Sequence, residues 1–195
     1  MKDILDKQDN WGILNYGPVH IDLIKEEVSS YYNEWLIDTS RQDKYITHEK
    51  TFMYQLCELD YMWSMVETGY RKTTNSFKTI GAKNQLRQIY DFLEESFNGR
   101  VVRCEVVNMS PNSRVRDHKD RSDVLYYSRR FHIPLKTNPL CFFTVNKETV
   151  NMLEGNLYEI NNTKWHNVKN ESSNNRIHLI VDIMPNDYVE NIRFE

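Results

Sequence analysis

Near the C-terminal end of the chain, hydrophobic and polar positions alternate. Over residues 176–183, Ile177, Leu179, Val181 and Ile183 share one side, and Arg176, His178, Ile180 and Asp182 share the other. That period of two belongs to a strand with one face in a core. Residues 130–135 repeat it, with Phe131, Ile133 and Leu135 opposed to Arg130 and His132. Residues 100–108 place Val102, Cys104 and Val106 on one face, 141–145 is a short apolar run, and Glu154-Gly155-Asn156 turns into a strand over 157–160. In the first half the period lengthens to three and four. Ile21, Ile24, Val28, Tyr31 or Tyr32, and Trp35 predict a helix within 18–36, with Asp22 at its start as a cap. Leu86, Ile89, Tyr90, Leu93 and Phe97 predict a second over 83–98, stopped by Gly99. Residues 51–59 read as a strand. The aromatic stretch after it, with Tyr61, Trp63 and Tyr70, has no clean period and reads as a lid or a substrate-facing wall.

Short strands at close spacing, with turn residues between them, predict a mainly β fold with flanking helices, built as a small barrel or jelly roll. A chain of 195 residues suits one domain with one sizeable core. Its expected parts are a helical, mixed support over 1–99, a β core over 100–184 and a tail over 185–195. No internal repeat or low-complexity tract interrupts it.

Composition narrows the function. A net charge of -3 argues against a general nucleic-acid binder, which usually carries a basic excess. No apolar run approaches the roughly 20 residues needed to span a bilayer, and residues 1–7 lack the apolar centre of a signal peptide. Cys57, Cys104 and Cys141 form no CxxC pair and read as reduced, half-buried thiols. The expectation is a soluble, cytoplasmic protein with no membrane partner.

The candidate chemistry lies in the second half. His118-Lys119-Asp120 and the distant His166 supply two imidazoles and a carboxylate, the set that suits a mononuclear Fe(II) with open coordination positions. If residues 118–120 are extended, His118 and Asp120 face the same way and reach one ion. The tripeptide alone is weak, because this composition yields roughly one such motif by accident. His20-Ile21-Asp22 also fits, at a predicted helix start where Asp22 is better explained as a cap. The alternative for His118 and His166 is a pair of solvated loop histidines. Catalytic zinc accepts the same ligands, but no HExxH or obvious general base accompanies them.

Arg176 adds weight. It shares a strand with a solidly apolar opposite face, so its guanidinium faces an interior and needs an anion, best a carboxylate held bidentately. That anion is either a dicarboxylate co-substrate or an internal acid such as Asp182 or Glu159. Arg130 and His132 face one way from their strand and pose the same choice, and His132 is alternatively a satisfied core histidine. Arg114, Arg116, Lys119, Arg121, Arg129 and Arg130 make the region around His118 locally basic. Such a cluster attracts an acidic peptide or a carboxylate-bearing small molecule, or is a solvated charged loop.

The runs Arg130-Phe131-His132-Ile133-Pro134-Leu135-Lys136-Thr137-Asn138-Pro139 and Cys141-Phe142-Phe143 resemble the aspartyl/asparaginyl β-hydroxylase family of 2-oxoglutarate oxygenases. The likeness continues through Met152-Leu153-Glu154-Gly155, Tyr158-Glu159-Ile160-Asn161-Asn162 and His166-Asn167-Val168-Lys169-Asn170 to the strand from Arg176 to Asp182. It covers about residues 100–184. The resemblance implies a double-stranded β-helix, the cupin-like jelly roll, with the site inside its open end. It implies Fe(II) on His118, Asp120 and His166, and 2-oxoglutarate with its distal carboxylate on Arg176. Arg130, His132 and Asn108 stand where further co-substrate contacts are expected. The namesake enzymes bind iron through two histidines without a carboxylate, so Asp120 places this chain nearer the carboxylate-retaining, proline-hydroxylase-like members.

The implied activity is hydroxylation of an unactivated C–H bond, with O2 consumed as 2-oxoglutarate becomes succinate and CO2. The implied substrate is an amino-acid unit of Pro, Asp, Asn or Arg type, in a polypeptide or free, chosen by residues within 38–80 and 111–129. Two other classes are weighed beside it. One is a non-catalytic jelly roll binding a metal or ligand. The other is a nucleic-acid-modifying oxygenase, which the net charge disfavours.

Overall fold

Two antiparallel sheets and a pair of helices form three layers. The computed structural model describes residues 10–31, 50–58, 72–73, 75–120 and 123–187. The second half of the first expected helix, and Tyr61, Trp63 and Tyr70, lie outside the described residues, as does Arg121.

The larger sheet has the order β1 (Ile13–Pro18), β9 (Asn156–Ile160), β6 (Arg129–Lys136), β11 (Arg176–Pro185), β4 (Gly99–Met109), β2 (Thr51–Glu58) and β3 (Lys72–Thr73). The smaller has the order β5 (Ser113–His118), β10 (His166–Asn170), β7 (Cys141–Val145) and β8 (Glu148–Val150). Ile13, Met109 and Ile160 of the large sheet pack with Val115, Phe143, Val145 and Val168 of the small one, so the two sheets face each other as a jelly roll. On the far side of the large sheet, Phe131, Ile133, Leu135, Leu179 and Val181 pack beneath the helices. The alternation along β6 and β11 therefore divides an apolar helix side from a polar inner side, as the sequence predicts. Among the described residues, no helix is long and apolar enough to cross a membrane.

The helices are α1 (Asp22–Ser29) and α2 (Ile80–Ser96), with a short α3 (Asp123–Tyr127) after the β5 loop. Their ends differ from the sequence reading. Ile21 precedes the first turn of α1 with no side-chain capping bond, and Asp22 is simply an exposed first-turn acid. The true cap is on α2, where the Thr79 side chain accepts from Ala82 N at 3.2 Å, an arrangement worth about 1 kcal/mol. Gly99 is not the stop of that helix. Asn98 takes the left-handed turn at φ 45°, and Gly99 already opens β4.

Glu27 joins the two helices. Its carboxylate accepts from Tyr31 Oη, from Lys78 N, and from the Thr79 backbone and hydroxyl at 2.8 and 2.6 Å. Burial opposes its charge, but these donors outweigh burial and hold the carboxyl below its ordinary range.

A bulge corrects the expected face of β4. Asp182 pairs with Arg103 and Ile183 with Val101, leaving Val102 as the extra residue. Val101, not Val102, thus joins Cys104 and Val106 under the helices. All three cysteines are free and fully buried rather than half-buried. Cys57 and Cys104 face each other across β2 and β4, with Tyr90 Oη 3.5 Å from Cys57 Sγ.

Candidate metal centre

β5 and β10 are hydrogen-bonded neighbours whose register sets His118 opposite His166. The two imidazole centroids lie 4.1 Å apart. Asp120 follows two residues past the end of β5, its backbone N donating to Asn162 O at 3.2 Å. Ligand atoms of His118, Asp120 and His166 all lie within 4.8 Å of one another, forming a set able to hold one ion. Each ring is also oriented for that use. Nδ1 of His118 lies 2.8 Å from Arg116 O, and Nδ1 of His166 lies 2.9 Å from Lys164 O. A carbonyl accepts only, so both Nδ1 atoms carry the proton and each Nε2 keeps the lone pair that a metal bond needs. Burial, with His118 alongside, pushes His166 down to about 4, which keeps its ring neutral.

Behind the carboxylate runs a row of buried charges. β6, β11 and β4 are adjacent, and their registers align Arg130, Asp182 and Arg103 across the sheet. Arg130 Nε and Nη2 donate to the two oxygens of Asp182 at 2.7 and 2.8 Å. This bidentate grip turns the remaining nitrogen, Nη1, onto Asp120 Oδ2 at 2.5 Å. Arg103 approaches Asp182 at 3.8 Å and pairs with Glu105 at 2.6 Å. Burial opposes ionisation of Asp120, yet Arg130, ahead of His166 and His118, holds its carboxyl below the usual range.

Arg176 also lines the cavity and is 6% exposed. Among the described residues no carboxylate pairs with it. Its Nη2 donates to His178 Nδ1 at 3.0 Å, and its guanidinium carbon sits 5.6 Å from the Phe143 ring centre. Burial pulls it down to about 10. The internal acids weighed as its partners are engaged elsewhere. Asp182 holds Arg130, while Glu159 binds Arg129 through two bonds of 2.7 Å and accepts from Tyr16 Oη at 2.8 Å. His132 is buried with neither ring nitrogen partnered, and His178 Nε2 is unpartnered too. Buried polar groups normally have partners, and His132, which lines the cavity, fits an anionic ligand between Arg176 and the metal set. The cavity itself is about 60 Å3, lined by His118, His166, Arg130, His132, Arg176 and Phe143 among others.

The structure thus brings together His118, Asp120, His166, Arg130, His132 and Arg176. It does not bring in Asn108. That residue pairs with Ile177 and Phe52, so its side chain shares the helix-side face, while Val107 and Met109 face the cavity. By the alternation of the strand its side chain does not line this cavity. The second His-x-Asp motif is exposed at both His20 and Asp22 and gathers no third ligand among the described residues. The basic cluster divides. Arg129 and Arg130 are in buried ion pairs, whereas Arg114 and Arg116 are exposed on β5. Sequence reasoning missed the role of Asp182 as the anchor of Arg130. The signal was its inward-facing position in a strand, but naming its partner needs the β6–β11 register.

Comparison with known proteins follows the same line. A family model described as aspartyl/asparaginyl beta-hydroxylase matches residues 20–185. No curated protein matches the sequence. Among solved structures, AviO1 from Streptomyces viridochromogenes Tue57 is 13% identical, with 89% of each chain covered and a TM-score of 0.55. An oxidoreductase of the 2OG-Fe(II) oxygenase family from Burkholderia pseudomallei is 14% identical, covering 70% of this chain and 69% of its own, with a TM-score of 0.53. Likeness at these identities shows a shared fold.

Proposed function

The chain belongs to the aspartyl/asparaginyl β-hydroxylase family, and from that membership we propose that it hydroxylates an amino-acid unit, in a polypeptide or free, using Fe(II), 2-oxoglutarate and O2. His118 and His166 would hold the iron through Nε2 and Asp120 through a carboxylate oxygen, leaving part of the coordination sphere open. Bound there, the metal and 2-oxoglutarate supply oxidising power from O2 as 2-oxoglutarate is decarboxylated to succinate.

The protein's own residues bind and orient. Arg176 takes the distal carboxylate of 2-oxoglutarate by a charge-assisted pair, with His132 offering a ring nitrogen beside it. His178 accepts from Arg176 and aims the guanidinium. Val115, Phe143, Ile160 and Val168 wall the cavity and exclude water. Arg130, expected from the family likeness to touch the co-substrate, instead spends its donors on Asp182 and Asp120, and we assign it to positioning the carboxylate ligand.

The observation that carries this reading is Arg176, a buried guanidinium with no acid beside it among the described residues. The test is succinate formation from 2-oxoglutarate. Wild-type protein should form succinate only with Fe(II) present, and His118→Ala should abolish it. Absence of succinate from the Fe(II)-loaded wild type, with or without candidate peptides and amino acids, would leave a non-catalytic binding protein instead.

A further inference from the structure

The two faces of the small sheet carry opposite characters. Val115, Val168 and Phe143 point inward to the cavity, so their neighbours Arg114, Lys169 and Phe142 point outward. Register sets these three in one row across β5, β10 and β7, with Lys169 directly opposite both Arg114 and Phe142. A second row crosses β10, β7 and β8 as Asn167, Thr144 and Thr149, the two threonine hydroxyls 2.9 Å apart.

This outer face is concave. A hollow of about 520 Å3 is lined by Lys50, Arg114, Arg116 and Lys169, with Glu171 the one acid among its described lining residues. A second hollow of about 340 Å3, lined by Phe142, Thr144, Thr149 and Asn167, shares Lys169 and Glu171 with the first. Together they make one trough across four strands, roughly 15 Å at the usual strand spacing, which suits four or five extended residues. Its β5 end is basic and its β8 end carries hydroxyls and an aromatic ring.

Two facts set this trough apart from a merely solvated face. None of Lys50, Arg114, Arg116 and Lys169 forms an ion pair with a described carboxylate, in a chain whose net charge is -3. And Arg114 lies directly across from Lys169, a like-charge pairing that destabilises a sheet. An anion seated between them removes that repulsion.

We propose that the outer face of the small sheet docks an extended acidic polypeptide segment, its carboxylates on Arg114, Arg116, Lys169 and Lys50. The trough spans several residues rather than one small molecule, and it offers a single aromatic ring where a nucleic-acid track would need a series of them. The assignment is independent of the metal centre, which lies on the opposite face.

The test is fluorescence anisotropy with labelled hexaglutamate, labelled hexalysine and a single-stranded DNA oligonucleotide of matching charge, using the full chain. Hexaglutamate should bind saturably and weaken with salt, and hexalysine should not bind. The double variant Arg114→Glu, Lys169→Glu should weaken hexaglutamate binding by at least about tenfold. Lys25→Glu, which alters a cation that pairs with Glu154 away from the trough, should leave it unchanged. Arg114→Glu alone should melt no lower than wild type, because it converts the opposed like charges into an ion pair. Hexaglutamate binding that survives the double reversal would overturn the proposal. So would tighter binding of the oligonucleotide, or a lowered melting temperature for Arg114→Glu, which would make Arg114 a structural residue.

Discussion

Arg130 meets Asp120 only because Asp182 fixes two of its three nitrogens first. Such supporting partners commonly change metal affinity by about 10- to 100-fold when removed. Asp182→Asn keeps the shape of the anchor and weakens its charge. In our assignment it should lower Co(II) affinity by about that factor while leaving 2-oxoglutarate affinity of the metal-saturated protein within about twofold. Equilibrium dialysis for the metal and titration calorimetry for the co-substrate separate the two. Unchanged metal affinity with weakened 2-oxoglutarate binding would return Arg130 to the co-substrate. The polar residues themselves were legible from sequence, since the alternation in residues 130–135 and 176–183 put Arg130, His132, Arg176, His178 and Asp182 on inward faces. Who pairs with whom was not. Arg130 opposite Asp182 is a fact of strand register between segments about fifty residues apart, and no local pattern encodes it.

Among elements, the strands were read best because one face of each is buried and the period of two is strict. The failures are local. The bulge at Val102 shifts the face of β4 by one residue, and Asn108, placed near the co-substrate by the family resemblance, lies with its side chain on the helix-side face. Helix ends depend on single bonds and single dihedrals, so α1 begins without a cap from Asp22, Thr79 caps α2, and Asn98 rather than Gly99 takes the turn that ends α2. The join between α1 and α2 rests on Glu27, invisible in sequence because the donors that tie it to α2, at Lys78 and Thr79, lie about fifty residues away. Glu27→Gln should destabilise the fold by about 1–3 kcal/mol at neutral pH, since charge-assisted bonds are lost in a buried site. The folded carboxyl titrates below its unfolded value, so its contribution is full above the unfolded value near 4.3 and is lost as pH falls through the folded one. Urea midpoints of wild type and Glu27→Gln should therefore draw together as pH falls below the unfolded value and through the folded one. A gap that persists unchanged at low pH would show that the Glu27 charge is not what joins the helices.

At the scale of the whole molecule, the helices stiffen the large sheet from one side while the small sheet closes it from the other. The space between the sheets then brings together two histidines, a carboxylate and the Arg176 guanidinium, which has no acid beside it among the described residues. The family match over residues 20–185 makes the chain a member of the β-hydroxylase family, and the jelly-roll layers agree with it. The finer claim is that Arg176 waits for the distal carboxylate of 2-oxoglutarate. Removing one partner of a buried charge pair costs about 2–5 kcal/mol, a weakening of about 30-fold or more. The deciding measurement is 2-oxoglutarate binding to Co(II)-loaded protein, with Co(II) affinity determined alongside, for wild type and Arg176→Ala. We predict that the variant binds Co(II) as wild type does and binds 2-oxoglutarate at least about 30-fold more weakly. Equal 2-oxoglutarate affinity in the two proteins would contradict the account.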